Sequence, residues 1–430
     1  MHNRMGLNKL EILQGDAIEQ LRTLPDQSVQ CCVTSPPYWG LRDYGTCSCG
    51  SGRFDLGQGE GTGGNLNYRK SQEFKSDCLR CHGTGRIIGT QNQLGLEATP
   101  EAYVAAMVGV FSEVKRVLHN SGTLWLNLGD SYASDSKGTG GPSEKQLRNA
   151  GSRYSPVKIS HSLKPKDMCM IPERLVLALQ ADGWWVRSKI VWAKKSCMPE
   201  SVTDRPTNSW EPIFLLTKQA TYFYDAEAVK EKAECNHPSG NGFDGRQGTA
   251  EYQVKSGGEG TKESWQPGGT RNQRNVWHLG PEQFSEAHFA TFPSEIPRRA
   301  ILAGTSARGC CPKCLEPWVR VVEKGNPTGV NGKQDNSAVT LRNDALKHSG
   351  RIGEVASRTI GWQWGCECKF VHEKEAMPIP CTVLDPFAGS GTTGMVALEL
   401  GRKAVLIELN PEYVKLIRQW CDVTPGLQLA

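Results

Sequence analysis

Near the C-terminus, Thr382-Val383-Leu384-Asp385 reads as a short buried strand that runs straight into Pro386-Phe387-Ala388-Gly389-Ser390-Gly391-Thr392-Thr393-Gly394. A helix-like stretch from Met395 to Leu400 follows, then a second strand from Ala404 to Ile407 that ends on Glu408. Strand, glycine-rich turn, helix, strand and acid in that order are the fingerprint of a nucleotide or nucleoside site. The glycines let backbone approach a ligand closely, and the acid can accept hydrogen bonds from both hydroxyls of a ribose. The position of this fingerprint constrains the whole chain. Only 22 residues follow Glu408, room for one helix and no further strand. An open α/β sheet cannot stop there, so its other strands must come from earlier in the sequence, and the domain reads in permuted order.

The first half supplies a second clue. Ser28 to Thr34 is another short apolar strand, and it leads directly into Ser35-Pro36-Pro37-Tyr38-Trp39. Consecutive prolines lack two N–H groups and have two fixed φ angles, so they form a rigid extended turn outside regular structure. Carbonyls left unpaired in such a turn can face a ligand. A hydroxyl before them and two aromatics after them could grip a flat heterocycle. Alone, the segment reads more readily as a Pro-Pro turn capped by core aromatics.

Taken together, Ser35-Pro36-Pro37-Tyr38 and Asp385-Pro386-Phe387-Ala388-Gly389-Ser390-Gly391 resemble the amino-group DNA methyltransferases. The order, catalytic motif first and cofactor motif last, is similar to the β-type arrangement of that family. Gly122 to Asp130, Asp182 to Lys194 and Trp210 to Phe214 resemble its following strands, and His288 to Pro293 resembles the segment that closes over the cofactor. The resemblance implies an α/β fold: a Rossmann-like S-adenosylmethionine-dependent methyltransferase sheet in permuted order, carrying polar and zinc-binding insertions. It implies catalytic roles for Ser35, Pro36, Pro37 and Tyr38. For the cofactor it implies Asp385, Pro386, Phe387, Ala388, Gly389, Ser390, Gly391, Thr392 and Thr393, with Glu408 and Asn410 beyond them and Phe289, Thr291, Phe292 and Pro293 on the far side. The expected reaction is methyl transfer from S-adenosylmethionine to an exocyclic amino group of a flipped-out base in double-stranded DNA. Family members with Ser at the head of the motif tend toward cytosine N4, and those with Asp toward adenine N6. Ser35 therefore favours cytosine, with adenine as the alternative. A restriction–modification or phage-protection setting, with a cognate endonuclease as partner, is the corresponding expectation.

Sixteen cysteines in a chain with no recognisable export signal point to metal or thiol sites rather than disulfides. Cys47-x-Cys49 and Cys78-x-x-Cys81 flank one Gly-rich polar stretch, and Cys311-x-x-Cys314 and Cys366-x-Cys368 flank another. Two closely spaced pairs can complete a tetrahedral four-thiolate zinc site, and the metal supplies folding free energy that a polar insertion cannot draw from burial. Two structural zinc ions are expected on this ground, with Cys310 as a substitute ligand and reduced free cysteines as the alternative. Cys78-Leu79-Arg80-Cys81-His82 also matches a c-type haem attachment pattern, which the missing export signal argues against.

The remaining features set limits. No run of 18 apolar residues occurs, so a membrane span is not expected and a cytoplasmic protein is, bacterial or phage-encoded. The net charge of +5 permits a polyanionic partner without requiring one. At 430 residues, one large α/β domain with insertions fits better than several small domains. Residues 1–45 begin the catalytic half, 46–92 form the first Cys-bearing insertion, and 93–230 continue the catalytic half with a loop at 131–166. Residues 231–276 form a polar segment suited to target recognition, 277–308 the cofactor-closing segment, 309–379 the second Cys-bearing insertion, and 380–430 the cofactor-binding half. Lysines and arginines scattered through 131–166 and 231–275 could contact phosphates, although solvated loops often have this composition. Two rival readings use the same residues. A nicotinamide-dependent oxidoreductase explains Gly389-x-Gly391-x-x-Gly394 with Glu408 but leaves Ser35 to Tyr38 without a role. An inactive zinc-stabilised DNA-binding module explains the cysteines but not the intact motifs.

Overall fold

A computed structural model describes residues 9–40, 93–133, 163–197, 199–232, 270–280, 292–324, 357–370 and 377–423. They fall into two compact units, the larger comprising 1–225, 274–319 and 363–430. In this larger unit the strands are β1 (Leu10–Gln14), β2 (Val29–Thr34), β3 (Leu118–Asn127), β4 (Trp185–Lys194), β5 (Trp210–Thr217) and β8 (Val276–Leu279), with β11 (Thr382–Asp385) and β12 (Lys403–Glu408). Its helices are α1 (Ala17–Thr23), α2 (Pro100–Val117), α3 (Ile171–Ala181), α4 (Glu295–Gly304), α5 (Thr392–Glu399) and α6 (Pro411–Val423).

All eight strands form one sheet in the order β1-β12-β11-β2-β3-β5-β4-β8. From β1 to β3 neighbouring strands are parallel, β5 is antiparallel to both β3 and β4, and β8 returns parallel to β4. The last two strands of the sequence thus sit between the first two, as the permuted reading requires. The Rossmann-like α/β class expected from sequence is borne out. β2 is buried at every position and β11 at three of its four, the continuous apolar pattern of strands covered on both faces. On one face α1, α2 and α3 pack in succession, and on the other α4, α5 and α6 do so.

Local sequence explains how these helices are placed. Thr99 caps α2 by accepting the Ala102 N–H at 3.1 Å, and Pro100 opens the helix, where its missing N–H costs nothing. The stripe that α2 buries is Tyr103, Met107, Val110, Phe111, Val114 and Val117, whereas Val104 and Val108 are only half-buried. Leu118, directly after Val117, already belongs to β3. Helix α3 has no cap of its own. Asp130, just beyond β3, accepts the Met170 and Ile171 N–H groups at 2.9 and 3.0 Å and so ties the helix to the loop after β3. Helix α5 begins at Thr392, before the expected Met395, because Gly391 takes a left-handed conformation at its N-cap.

The smaller unit spans 226–273 and 320–362. Within it, β6 (Glu231–Lys232) pairs antiparallel with β7 (Thr270–Arg271); β9 (Val319–Lys324) pairs with β10 (Ser357–Gln363), and all but Val319 and Gln363 of these two strands belong to it. Arg320 lies over the Trp362 ring at 4.4 Å and donates to the Thr359 hydroxyl at 3.0 Å. No helix among the described residues is long and apolar enough to cross a membrane.

Candidate active site

Parallel pairing of β11 with β2 sets Val383 beside Cys31 and Leu384 beside Cys32, so the turns that follow both strands emerge at the same end of the sheet. Strand order reverses between these two strands, and open α/β sheets bind ligands in the crevice at such a switch point. Asp385, with 1% of its surface exposed, closes the junction. The Thr34 hydroxyl donates to its Oδ1 at 2.7 Å, the Thr393 hydroxyl to its Oδ2 at 2.7 Å, and the Phe387 N–H to Oδ1 at 3.0 Å. Tyr38 and Phe387, one from each motif, pack against the same core cluster.

The glycine-rich turn has room on one side. Gly389 has φ +53°, and a Cβ added there would meet nothing within 4 Å. Its N–H donates to Glu408 Oε2 at 2.8 Å, and the Asn410 N–H donates to Oε1 at 2.7 Å. The Leu409 N–H also bonds this carboxylate, and with about four lone-pair sites the group still has room for a further donor. Burial, helped by the nearby Asp385 charge and partly offset by the N–H groups of Asn410, Gly389 and Leu409, raises the Glu408 carboxyl to about 7. Burial likewise raises Asp385 to about 6, against the hydroxyls of Thr34 and Thr393. Ser390 and Thr392 are buried, with hydroxyls 3.5 Å apart. A backbone that is open at Gly389 beside a carboxylate with acceptor capacity to spare fits the nucleoside part of S-adenosylmethionine. Of the expected far-side residues, Phe289 and Thr291 lie outside the described residues. Phe292 and Pro293 lead into α4, which packs on α5 and joins it through an Arg298–Glu399 ion pair of 2.6 Å.

The Ser35 to Tyr38 turn is held from several sides. The Tyr103 hydroxyl, kept protonated by burial and by the nearby Glu97 charge, donates to the Pro37 carbonyl at 2.8 Å. The Pro36 carbonyl receives no donor among the described residues. The indole of Trp39, 2% exposed, donates to the Glu97 carbonyl at 2.8 Å and anchors the turn in the core. Tyr38 lies against Gly129, where a Cβ would come within 2.4 Å of its ring. The Tyr38 hydroxyl donates to Glu211 Oε2 at 2.7 Å, and the Lys194 ammonium holds Glu211 Oε1 at 2.5 Å. Asn127, 2% exposed at the end of β3, lies 3.4 Å from the Ser35 hydroxyl and 3.2 Å from that of Tyr38. Asn127, Lys194, Glu211 and Tyr103 were not singled out from sequence. A lone Asn closing an apolar strand and a Glu opening one were the available signals.

The second cysteine group is assembled away from this crevice. The sulfurs of Cys311, Cys314, Cys366 and Cys368 all lie within 4.8 Å of one another. A tetrahedron with Zn–S bonds of about 2.3 Å has S···S edges of about 3.8 Å, so four thiolates this close fit one zinc ion after slight tightening. The knuckle docks at the starts of β2 and β3, the ends opposite the crevice. Gln30 donates to the Leu315 carbonyl at 3.3 Å and accepts the Thr382 N–H at 2.7 Å, and His119 reaches the Cys314 carbonyl at 3.0 Å. Trp364 packs between Trp318, tilted at 4.3 Å, and Phe370, stacked at 5.1 Å. Cys310 instead bridges to Ile379, so the substitute role is not needed. Cys47, Cys49, Cys78 and Cys81 lie outside the described residues.

Comparison with known proteins places this geometry. A profile of N6/N4-type DNA methylases matches residues 29–311 and 381–419, leaving out most of the stretch that carries the second cysteine group. The Type II methyltransferase M.Cfr9I of Citrobacter freundii is 34% identical over 410 residues, 95% of this chain and 87% of that protein. The Type II methyltransferase M.SmaI of Serratia marcescens is 31% identical over 413 residues, 96% of this chain and 91% of that protein. Among solved structures, the cytosine-N4-specific PvuII DNA methyltransferase aligns at 13% identity with a TM-score of 0.45, over 95% of this chain and 87% of that one.

The two raised carboxyls give the cofactor-free protein a defined pH response. Asp385 and Glu408 bind protons more tightly folded than unfolded. The stability they lend is fully present below the ordinary carboxylate range near about 4, and is lost as pH rises through about 6 and then about 7. The thermal midpoint of the cofactor-free protein should therefore fall between about pH 5 and about pH 8, and Glu408→Gln should flatten the upper part of that fall. Equal slopes for wild type and variant across this window would contradict the assignment.

Proposed function

Because this chain belongs to the amino-group (N6/N4) DNA methylase family, we propose that it transfers a methyl group from S-adenosylmethionine to the exocyclic N4 amino group of cytosine in double-stranded DNA. The observation that carries this reading is the Thr34–Asp385 hydrogen bond between parallel β2 and β11, which brings the Ser35–Tyr38 turn and the Phe387–Gly391 turn to one crevice. A nicotinamide-dependent oxidoreductase gives the first of these turns nothing to do.

When bound, S-adenosylmethionine supplies an electrophilic methyl carbon whose bond to sulfur breaks with both electrons left on sulfur. The Phe387–Thr393 turn holds its methionine part and Glu408 its ribose hydroxyls, with Asn410 fixing the Glu408 carboxylate from behind. The acceptor amino group is a poor nucleophile because its lone pair is delocalised into the ring. Hydrogen bonds from that group to the Pro36 carbonyl and the Ser35 hydroxyl draw the nitrogen toward tetrahedral geometry and free the lone pair. The nitrogen then forms the new N–C bond and sheds one proton to solvent. Tyr38 stacks on the base, with its own ring steadied by Gly129 and its hydroxyl by Glu211. The base must leave the duplex to reach this pocket, at a cost of a few kcal/mol that stacking and hydrogen bonds offset. Alignment of donor and acceptor provides most of the acceleration.

Ser35 at the head of the motif supports cytosine over adenine. The relatives are named Type II methyltransferases, which supports a restriction–modification setting with a cognate endonuclease and a cytoplasmic place of action. The four-thiolate knuckle fits a structural zinc ion that staples the ends of the 312–365 stretch, so that β11 enters the sheet beside β2.

Two measurements test these assignments. Duplex DNA incubated with the protein and S-adenosylmethionine, then digested to nucleosides and weighed, should yield N4-methylcytosine; N6-methyladenine would overturn the choice of base, and no methylated base would overturn the activity. Elemental analysis of Cys314→Ser should find one zinc fewer per chain than in wild type; an unchanged count would remove the metal from this knuckle.

A further inference from the structure

The Ser35 hydroxyl can donate or accept, and the proposed chemistry needs it to accept from an amino group. Its surroundings fix the answer. Asn127 has an amide whose two ends are distinguishable by their neighbours. The Nδ2 end lies 3.1 Å from the Pro212 carbonyl and 3.3 Å from Glu211 Oε2. Both neighbours are acceptors, because a carbonyl has only lone pairs and a carboxylate paired with the Lys194 ammonium offers only lone pairs. Turning the amide over would set Oδ1 against two acceptors and leave a buried N–H facing the hydroxyls, so the assigned orientation is forced. Oδ1 therefore points at Ser35 Oγ, 3.4 Å away.

Tyr38 reinforces this. Its single hydroxyl hydrogen goes to Glu211 Oε2 at 2.7 Å, so its oxygen turns a lone pair toward Ser35 Oγ at 3.5 Å. The two polar atoms beside the Ser35 hydroxyl, Asn127 Oδ1 and Tyr38 Oη, both act as acceptors toward it. The Ser35 hydrogen is drawn inward, and its lone pairs face the crevice. We propose that Lys194, Glu211 and Asn127 act as positioning residues that fix Ser35 as an acceptor, so that the pocket selects an amino group over an oxo group at the reacting position of the base. A serine then does what a carboxylate at the same place would do by its chemistry alone. The inference rests on the DNA methyltransferase reading and deepens it. It does not depend on which amino base is the target, since cytosine and adenine present the same donor group, whereas uracil and hypoxanthine present an oxo acceptor.

The test uses full-length protein and a duplex site that wild type methylates. Glu211→Gln offers an amide N–H to Asn127 or Tyr38 and lets the amide turn; Asn127→Leu removes the acceptor outright while leaving the Lys194 pair in place. Each variant should slow single-turnover methyl transfer by about tenfold or more, the scale of one mispaired buried hydrogen bond, with cofactor affinity within about twofold of wild type. Adding Ser35→Asp, an acceptor that needs no orientation, should recover at least about tenfold of the loss in either background. Binding should show the same polarity. Wild type should bind a site whose target base is replaced by its oxo counterpart more weakly than the amino site, and Glu211→Gln and Asn127→Leu should narrow that ratio. Unchanged oxo-to-amino ratios, or no recovery with Ser35→Asp in both backgrounds, would overturn the inference while leaving the enzyme's activity standing. Failure of wild type to methylate any DNA would instead refute the reading beneath it.

Discussion

A carboxylate sealed between two strands, Asp385, receives hydroxyl hydrogens from Thr34 and Thr393 and an N–H from Phe387 where the early and late parts of the chain meet. Hydrogen bonds to a buried charged acceptor contribute about 1.5–3 kcal/mol each, and leaving such a group unsatisfied costs more than its partners supply. Residues 34 and 385 can satisfy this group only if β2 and β11 lie side by side with their ends level. That single condition decides which strands share the switch point, and so which turns share the crevice. The raised carboxyl of Asp385 reflects the desolvation that those three donors only partly offset.

Holding β11 in that register is difficult for a chain that reaches it after an insertion. Residues 320–362 belong to a separate compact unit, so the chain leaves the main body after Val319 and re-enters it at Gln363. The Cys311–Cys314 and Cys366–Cys368 pairs gather the two ends of that excursion at one point. Ladder bonds between Cys310 and Ile379 and the contacts of Gln30 then deliver the chain to Thr382. Loop closure costs little extra as an insertion lengthens, so an insertion pinned at its base leaves the register of the sheet undisturbed. The staple and the reacting crevice occupy opposite ends of the same strands.

Much of the core was legible because its strands are short continuous apolar runs and its turns carry Gly or Pro-Pro at positions with one physical meaning. Thr382–Asp385, Lys403–Glu408 and Val29–Thr34 fall within a residue of the sequence reading. Helix α4 was not read as a helix, although Ser294 at its N-cap and Pro297 in its first turn are residues that commonly start one. Strand β8 has only four residues, set in a polar stretch, and its buried Trp277 gains meaning only once it stacks on Trp125 at 6.3 Å. The network behind Ser35 was hidden for a different reason. Asn127, Lys194 and Glu211 converge through antiparallel pairing of β5 with both β3 and β4, and that register is a tertiary fact. The two motifs were readable as chemistry; the groups that orient them were not.

The claim that two distant segments form one reacting site is tested most directly by a structure of the protein bound to S-adenosylhomocysteine and duplex DNA carrying its target site. The expected result is a nucleoside seated at Gly389 and Glu408, its sulfur facing an extruded base whose amino group meets the Pro36 carbonyl and the Ser35 hydroxyl. A nucleoside bound away from Gly389, or an extruded base held where Ser35 and Pro36 cannot reach it, would contradict that claim.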